Sequence, residues 1–349
     1  MGFSPMAVEL NEAIAAANPA VLGLLSRRGK AIYFPSKGII QQTRDAKGAS
    51  INATIGSALE DDGGPMCLEV LRRQVSLEPG LVFSYAPPDG QQGLRDEWQK
   101  ALHRKNPSLK GTAVSRPLVT CALTHGLSTG GYLFVDEGDE LILPDLFWGN
   151  YRLIYENAYG AKLTTYPLFS GDGYNIEGLR SRLTAGTPGK RIVLLNFPNN
   201  PTGYTVTNKE AVALRDVLVE AADAGNSIVV LVDDAYFGLV YEGGVLTESM
   251  FGLLAGAHER ILAVKFDGPT KEDYVWGFRV GFVTFGCRRN SPALYDALEK
   301  KMAAVVRGSI SNVSNLTQSL LLHAYRDPSY AGQKKEKYGI LRRRYERVR

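Results

Sequence analysis

Six short apolar runs punctuate the chain, at Leu118–Leu123, Glu140–Pro144, Ile192–Phe197, Ser227–Asp233, Arg260–Phe266 and Val280–Phe285, with helical stretches between them. A strand buried on both faces reads as a continuous apolar run, so this alternation predicts an α/β fold with a mostly parallel sheet sandwiched by helices. The helix before the fourth run has the clearest signals. Thr207 and Glu210 form a capping box, Leu214, Val217, Leu218 and Ala221 share one face, and Gly225 stops it. Before about residue 50 the chain reads as helical around a Pro35–Gly38 turn, and after about 290 it is helical again. The expected organisation is a large domain over 51–325, with 1–50 and 326–349 forming parts of a smaller domain outside the sheet. In the last segment Tyr338, Leu341, Tyr345 and Val348 recur at spacings of three and four, a narrow apolar stripe expected to pack on the protein itself.

Charge and composition remove several classes of function. Of 40 Lys/Arg and 36 Asp/Glu, residues 334–349 hold eight basic and two acidic side chains, which leaves 32 against 34 elsewhere and no basic face for nucleic acid. No stretch reaches the roughly 18 unbroken apolar residues of a membrane span. The most apolar one, "SIVVLVDDAYFGLVY", is cut by Asp233 and Asp234. The start carries Glu9 and Glu12 among its apolar residues and lacks a basic lead, so it reads as an amphipathic helix and not as a secretion signal. Cys67, Cys121 and Cys287 are odd in number and far apart, which suits a reducing, cytoplasmic setting. There is no GxGxxG after a strand, no GxxxxGK[ST], no HExxH and no GxSxG, and the four histidines lack metal-ligand spacing.

Polar residues at the ends of the expected strands remain, where open α/β sheets bind ligands. "THGLSTGG" follows the first run as a Gly-rich turn expected to open a helix near Gly126, whose free N–H groups suit a phosphate. "PNNPTGY" follows the third run and places Asn200 before a proline. The fourth ends in "VDDAYFG", and a buried Asp233 needs a cation or strong donors. The fifth leads into "GPTKEDYVWGFRVGF", with Lys271 in an apolar setting and Arg279 eight residues on. Each feature alone also has an ordinary structural reading: a turn, a salt bridge, a solvated lysine. Together they ask for one ligand with a phosphate, an aldehyde and a protonated ring nitrogen, and pyridoxal 5'-phosphate has all three.

At these residues the chain resembles the fold-type I pyridoxal-phosphate aminotransferases of class I/II, the aspartate and aromatic aminotransferase group. The match runs from about Asn52 to Ser311 through "NATIGSALEDDGGP", "SYAPPDGQQGLRDEW", "LPDLFWGNY", "NNPTG", "DDAY" and the Lys271 to Arg279 spacing. The resemblance implies the aspartate aminotransferase-like fold and transfer of an amino group from an amino acid (aspartate, glutamate or an aromatic) to a 2-oxo acid. A lyase on the same scaffold and a non-catalytic cofactor-binding homologue are the alternatives. It makes Lys271 the lysine that bonds the cofactor aldehyde and then moves the proton between the substrate Cα and the cofactor. By the same resemblance Asp233 would pair with the ring nitrogen, Tyr236 and Asn200 would bind the ring's phenolic oxygen, and Trp148 would stack on the ring. It also implies that Arg279 with Gly126, Leu127 and Ser128 holds the phosphate, and that Gly56, Asn200 and Arg307 meet the substrate.

In "VVRGSIS" the resemblance further implies that Arg307 and Ser311 reach into a neighbouring subunit's site, the Arg to a substrate carboxylate and the Ser to the phosphate. Tyr85 is similar to a tyrosine that also crosses to the partner's phosphate, which implies a homodimer with shared sites. Two departures stand out. Gly268 occupies a position where the family often has a hydroxyl residue, which leaves that phosphate contact missing or taken by Thr270. Family members also continue through more of the small domain, including an arginine for the substrate α-carboxylate, so the resemblance implies a truncated or incompletely represented member.

Overall fold

In the computed structural model the described residues are 3–17, 27–32, 58–64, 66–73 and 77–348, with isolated positions between them. The Pro35–Gly38 turn and Gly56 lie outside the described residues. Among the described residues the strands are β1 (Leu118–Thr120), β2 (Glu140–Pro144), β3 (Lys162–Tyr166), β4 (Phe169–Ser170), β5 (Gly173–Tyr174), β6 (Lys190–Asn196), β7 (Ser227–Asp233), β8 (Ile261–Asp267) and β9 (Gly281–Gly286). Seven form one sheet in the order β1-β9-β8-β7-β6-β2-β3, while β4 and β5 pair as a small hairpin. The five strands β3, β2, β6, β7 and β8 run parallel, and β9 is antiparallel to both β8 and β1. All sheet strands except β9 therefore point the same way. The carboxyl ends of β1, β6, β7 and β8 share one edge with the amino end of β9.

All six apolar runs become strands of this sheet, because helices cover both of its faces. On one face the helix Asn208–Asp223 lays Leu214, Val217, Leu218 and Ala221 against Val230 and Ala263. Its start is the expected capping box: the Thr207 side chain accepts from the Glu210 N–H, and Glu210 accepts from the Thr207 N–H at 2.7 Å. On the other face the helix Ala122–Phe134 packs Leu127 with Leu231, Val264 and Phe266. Its approach to β8 depends on glycine, since a Cβ at Gly130 would lie 2.6 Å from the Phe266 ring. The edge strand β3 is not among the six runs. Its sequence KLTTY is only half-buried, so it lacks the apolar run that marks a central strand.

A third cluster joins Trp98, Phe282, Tyr274 and Leu321, with Trp98 stacked on Phe282 at 4.3 Å between centroids. The last helix, Tyr330–Val348, packs Tyr338 and Tyr345 against Tyr241, while Val348 at the end of the expected stripe stays exposed. The short helix Arg27–Ala31 is held through Arg27 on Glu137 and through the Ala31 carbonyl, which accepts from the Asn157 amide.

Candidate active site

A cavity of about 250 Å³ opens at the shared sheet edge, lined by Ala122, Leu123, Thr124, Leu127, Trp148, Tyr151, Asn196, Asn200, Asp233, Ala235, Tyr236, Thr270, Lys271, Trp276 and Arg279. Asn196 and Asp233 close β6 and β7, and the other lining residues lie on the turns and helices that connect the strands at this edge. Of the site residues expected from sequence, Lys271, Asp233, Asn200, Tyr236, Trp148, Arg279 and Leu127 come together here.

Asp233, the last residue of β7, is buried. Its Oδ2 accepts from the Tyr151 hydroxyl at 2.5 Å and its Oδ1 from the Ala235 N–H at 3.0 Å. Among the described residues no Lys or Arg nitrogen lies within ion-pair distance of it. Burial pushes its carboxyl above the usual range, with the Tyr151 hydrogen bond and the nearby Lys271 charge pulling back. The neighbouring Asp234 takes the structural pairing instead. It faces the opposite side of the sheet, where it accepts from Ser249 at 2.6 Å and pairs with the fully buried Lys265. Two adjacent aspartates thus divide the work: one closes a salt bridge, and the other aims an uncompensated carboxylate into a cavity.

Lys271 sits on the single helical turn Pro269–Glu272 that follows β8. Its Nζ lies 4.5 Å from the centre of the Tyr236 ring. Burial lowers its pKa, Asp233 opposes that shift and Arg279 adds to it, so the side chain tends toward a neutral, nucleophilic amine. Asn200 is held by Asn196, whose Oδ1 accepts the Asn200 N–H at 2.8 Å while its Nδ2 donates to the Asp233 carbonyl at 2.8 Å. Asn199, by contrast, is spent on the turn itself, accepting from Thr202 and donating to the Leu146 carbonyl.

The start of the helix after β1 differs from the sequence expectation. The helix begins at Ala122, four residues before Gly126, because β1 ends at Thr120 and Ala122 takes a left-handed φ of 59° that swings the chain into the helix. The N–H groups of Gly126, Leu127 and Ser128 therefore belong to the helix interior. Gly126 faces Phe266 and Thr120, and Ser128 bonds the Tyr159 hydroxyl at 3.2 Å. Leu123 and Thr124 of the first turn, whose N–H groups have no carbonyl partner within the helix, line the cavity. Arg279 faces the same cavity with a left-handed φ of 54°. Two of the four described non-glycine residues with positive φ thus line one cavity, the kind of local strain that collects at functional sites.

Gly268 has a steric cause. A Cβ there would stand 2.9 Å from both the Gly281 Cα and the Val280 carbonyl oxygen, so a serine does not fit without moving the backbone. Thr270 is buried in the cavity wall, with its hydroxyl 3.4 Å from the Val280 carbonyl.

Tyr85, Arg307 and Ser311 are exposed on this chain and lie outside the cavity wall. Sequence reasoning missed Tyr151, Asn196 and Trp276. Asn196 carried the same signal as Asp233, a polar residue closing a buried strand, and Tyr151 lay within the quoted "WGNY".

The residues present suit pyridoxal phosphate: an amine with a lowered pKa, a buried carboxylate without a cation among the described residues, and an arginine beside a helix start. The Trp276 indole N–H is also buried without an acceptor among the described residues.

The model of the aminotransferase class I and II family matches residues 51–349. Among curated proteins the chain is 26% identical over 248 residues to an aspartate aminotransferase of Bacillus subtilis, covering 70% of this chain and 57% of that protein. It is 28% identical over 184 residues to a probable N-succinyldiaminopimelate aminotransferase of Mycobacterium tuberculosis, covering 52% and 44%. The chain spans about half the length of these curated relatives. Among solved structures, an aminotransferase from Anaerococcus prevotii superposes with a TM-score of 0.78 at 23% identity, over 92% of this chain and 80% of that one. This likeness shows the aspartate aminotransferase-like fold.

Proposed function

The chain belongs to the class I and II aminotransferase family, and from that premise we propose that it is a pyridoxal-phosphate-dependent aminotransferase exchanging an amino group between an amino acid and a 2-oxo acid. The observation that carries this reading is one cavity holding Lys271, its amine pKa lowered by burial, and Asp233, a buried carboxylate with no cation among the described residues. The bound cofactor supplies an electron-withdrawing ring and an aldehyde carbon.

Lys271 is the amine that would reach that carbon, and afterwards the base that would take the substrate's Cα proton and pass it on to that same carbon. Asp233 would pair with the ring nitrogen and keep it protonated. A unit-charge pair about 3 Å apart at an effective dielectric of 20 interacts by roughly 5 kcal/mol before desolvation. Tyr151 and the Ala235 N–H hold that carboxylate in place. Tyr236, whose hydroxyl burial and Asp233 keep protonated, donates to the phenolic oxygen together with the Asn200 amide. Arg279 and the first-turn N–H groups at Leu123 and Thr124 hold the phosphate, and Trp148 covers the ring. Arg307, Ser311 and Tyr85, exposed here, suit contacts to a second copy's site, with Arg307 meeting a dicarboxylate substrate; Gly56 is a further substrate contact in this reading. The unpaired cysteines suit the cytoplasm.

The test is to load the protein with pyridoxal phosphate, reduce it with borohydride and map the peptides, and in parallel to add single amino acids and follow absorbance. The pyridoxyl group should appear on Lys271 and be lost in Lys271→Ala, and an amino acid should convert the cofactor to its amine form. Labelling of another lysine overturns the assignment. Release of ammonia with a 2-oxo acid would mean a lyase.

A further inference from the structure

The two acids that follow Lys271 turn away from the cavity into the protein. Glu272 and Asp273 are both buried. Glu272 receives Lys105, from the helix Gln92–Lys105, and Lys334, from the last helix, each at 2.8 Å. Lys334 extends to Asp273 at 2.7 Å, and Asp273 also accepts the hydroxyls of Tyr325 and Tyr330 at 2.9 and 2.7 Å. Two acids and two bases balance, as burial of such a group requires. The cations hold the Glu272 carboxyl well below the usual carboxylate range despite its burial, and the two acids hold the Lys334 ammonium charged.

The same helix grips two other segments. The Tyr338 hydroxyl donates to the Val240 carbonyl, on the loop after β7 that carries Tyr236, and Lys337 pairs with Glu60 at 2.5 Å. Lys334 itself is absent from the cavity wall, so any influence on the chemistry passes through the residues it binds. The helix carrying Lys271 is four residues long, a single turn that has little hold on its own conformation. Its direction is therefore set by what grips its end, and Glu272 is that end.

We propose that Lys334 is a positioning residue for Lys271: by bridging Glu272 and Asp273 it fixes the turn from which Lys271 projects and balances the buried acidic charge of the two residues that follow Lys271 in the chain. The proposal rests on the aminotransferase reading of the cavity. The groups acting on Lys271 are Asp233 and Arg279 with the Tyr236 ring, and those on Lys334 are Glu272, Asp273 and Tyr330. With Lys334 removed, Asp273, two residues along the chain from Lys271, loses its ion-pair partner while staying buried. The amine is then protonated to a higher pH and its turn is less well held.

The experiment compares the chain with Lys334→Met and Lys334→Arg. It measures the rate at which pyridoxal phosphate is trapped on Lys271 by borohydride, read by mass spectrometry across pH, alongside urea unfolding. Lys334→Met should move the trapping profile to higher pH and slow trapping near neutrality by about 3- to 10-fold, the effect of a nearby charge on an amine's pKa. Lys334→Arg should restore most of the rate. A destabilised Met variant with an unchanged trapping profile would overturn the proposal and leave Lys334 as a packing residue. If that variant does not fold, the charge-balanced pair Lys334→Gln with Glu272→Gln takes its place. This pair should trap more slowly with little change in its pH profile, and a wild-type rate would sink the idea. Failure of the unaltered chain to trap cofactor on Lys271 at any pH would count against the aminotransferase reading instead.

Discussion

Replacing Asp233 with asparagine separates what this residue does for chemistry from what it does to stability. The side chains are nearly the same size, and the site has a place for each amide atom. The carbonyl oxygen can accept from the Ala235 N–H, now 3.0 Å from Oδ1, and the amide can donate to the Tyr151 oxygen, now 2.5 Å from Oδ2. What disappears is the charge. In the protein without cofactor that charge is a burden, because burial raises the carboxyl's pKa in the folded state. An acid whose folded pKa is raised costs stability once it ionises. The cost is absent below the unfolded pKa near 3.9, grows as pH rises towards the folded pKa, and is complete above it. Asp233→Asn should therefore be at least as stable as the parent at neutral pH, by about 1.4 kcal/mol for every tenfold by which burial weakens the acid, and should match it in acid. With cofactor bound the order reverses in function. The ring nitrogen loses a partner worth roughly 5 kcal/mol before desolvation, so transamination should fall by about 100-fold or more while the phosphate end still binds. Urea unfolding over a pH series and single-turnover absorbance measure the two halves. A variant clearly less stable at neutral pH, with near-normal turnover, would show that Asp233 is an ordinary structural acid and refute the reasoning.

Other outcomes follow from the same contacts. Gly268→Ser should not restore a phosphate ligand; its Cβ would press on Gly281 and Val280, at a cost of about 1–3 kcal/mol in urea unfolding and weaker cofactor binding. Thr207→Ala should cost about 1 kcal/mol as a lost helix cap. Glu210→Ala should cost more, about 2 kcal/mol, because it also releases the Tyr174 N–H and the Tyr204 hydroxyl; equal losses would contradict this bonding pattern. Arg307→Ala in an active form should lower kcat/KM for aspartate by about 10- to 150-fold and leave an aromatic donor nearly unchanged. An equal loss for both would remove the dicarboxylate role. Mixing that variant with Lys271→Ala should recover aspartate activity only if Arg307 acts across a dimer.

Much of this architecture is written in local periodicity. The apolar runs Ile192–Phe197, Ser227–Asp233 and Arg260–Phe266 had to be central strands, because only burial on both faces tolerates so many consecutive apolar residues. The polar residues after those runs marked the edge at which open α/β sheets bind ligands, and the cavity opens there. The helix Asn208–Asp223 was readable to its cap, since capping box, apolar face and stop glycine all lie within one short segment. Other features depend on contacts that no window of sequence contains. Whether Asp233 or Asp234 faces the cavity is decided by the pleat of β7 and by Lys265 waiting on the opposite face. Asp233 is steadied by Tyr151, 82 residues away in the chain, and Lys271 by a network closed through Lys334. The helix start at Ala122 was hidden because the apolar run continues past the last strand residue, Thr120, and only the backbone's left-handed turn separates the two elements. Periodicity records which side of an element is buried, and that is a local property. Which partner a buried charge meets is set by the pairing of strands and helices distant in sequence, so that choice appears only once the chain is folded.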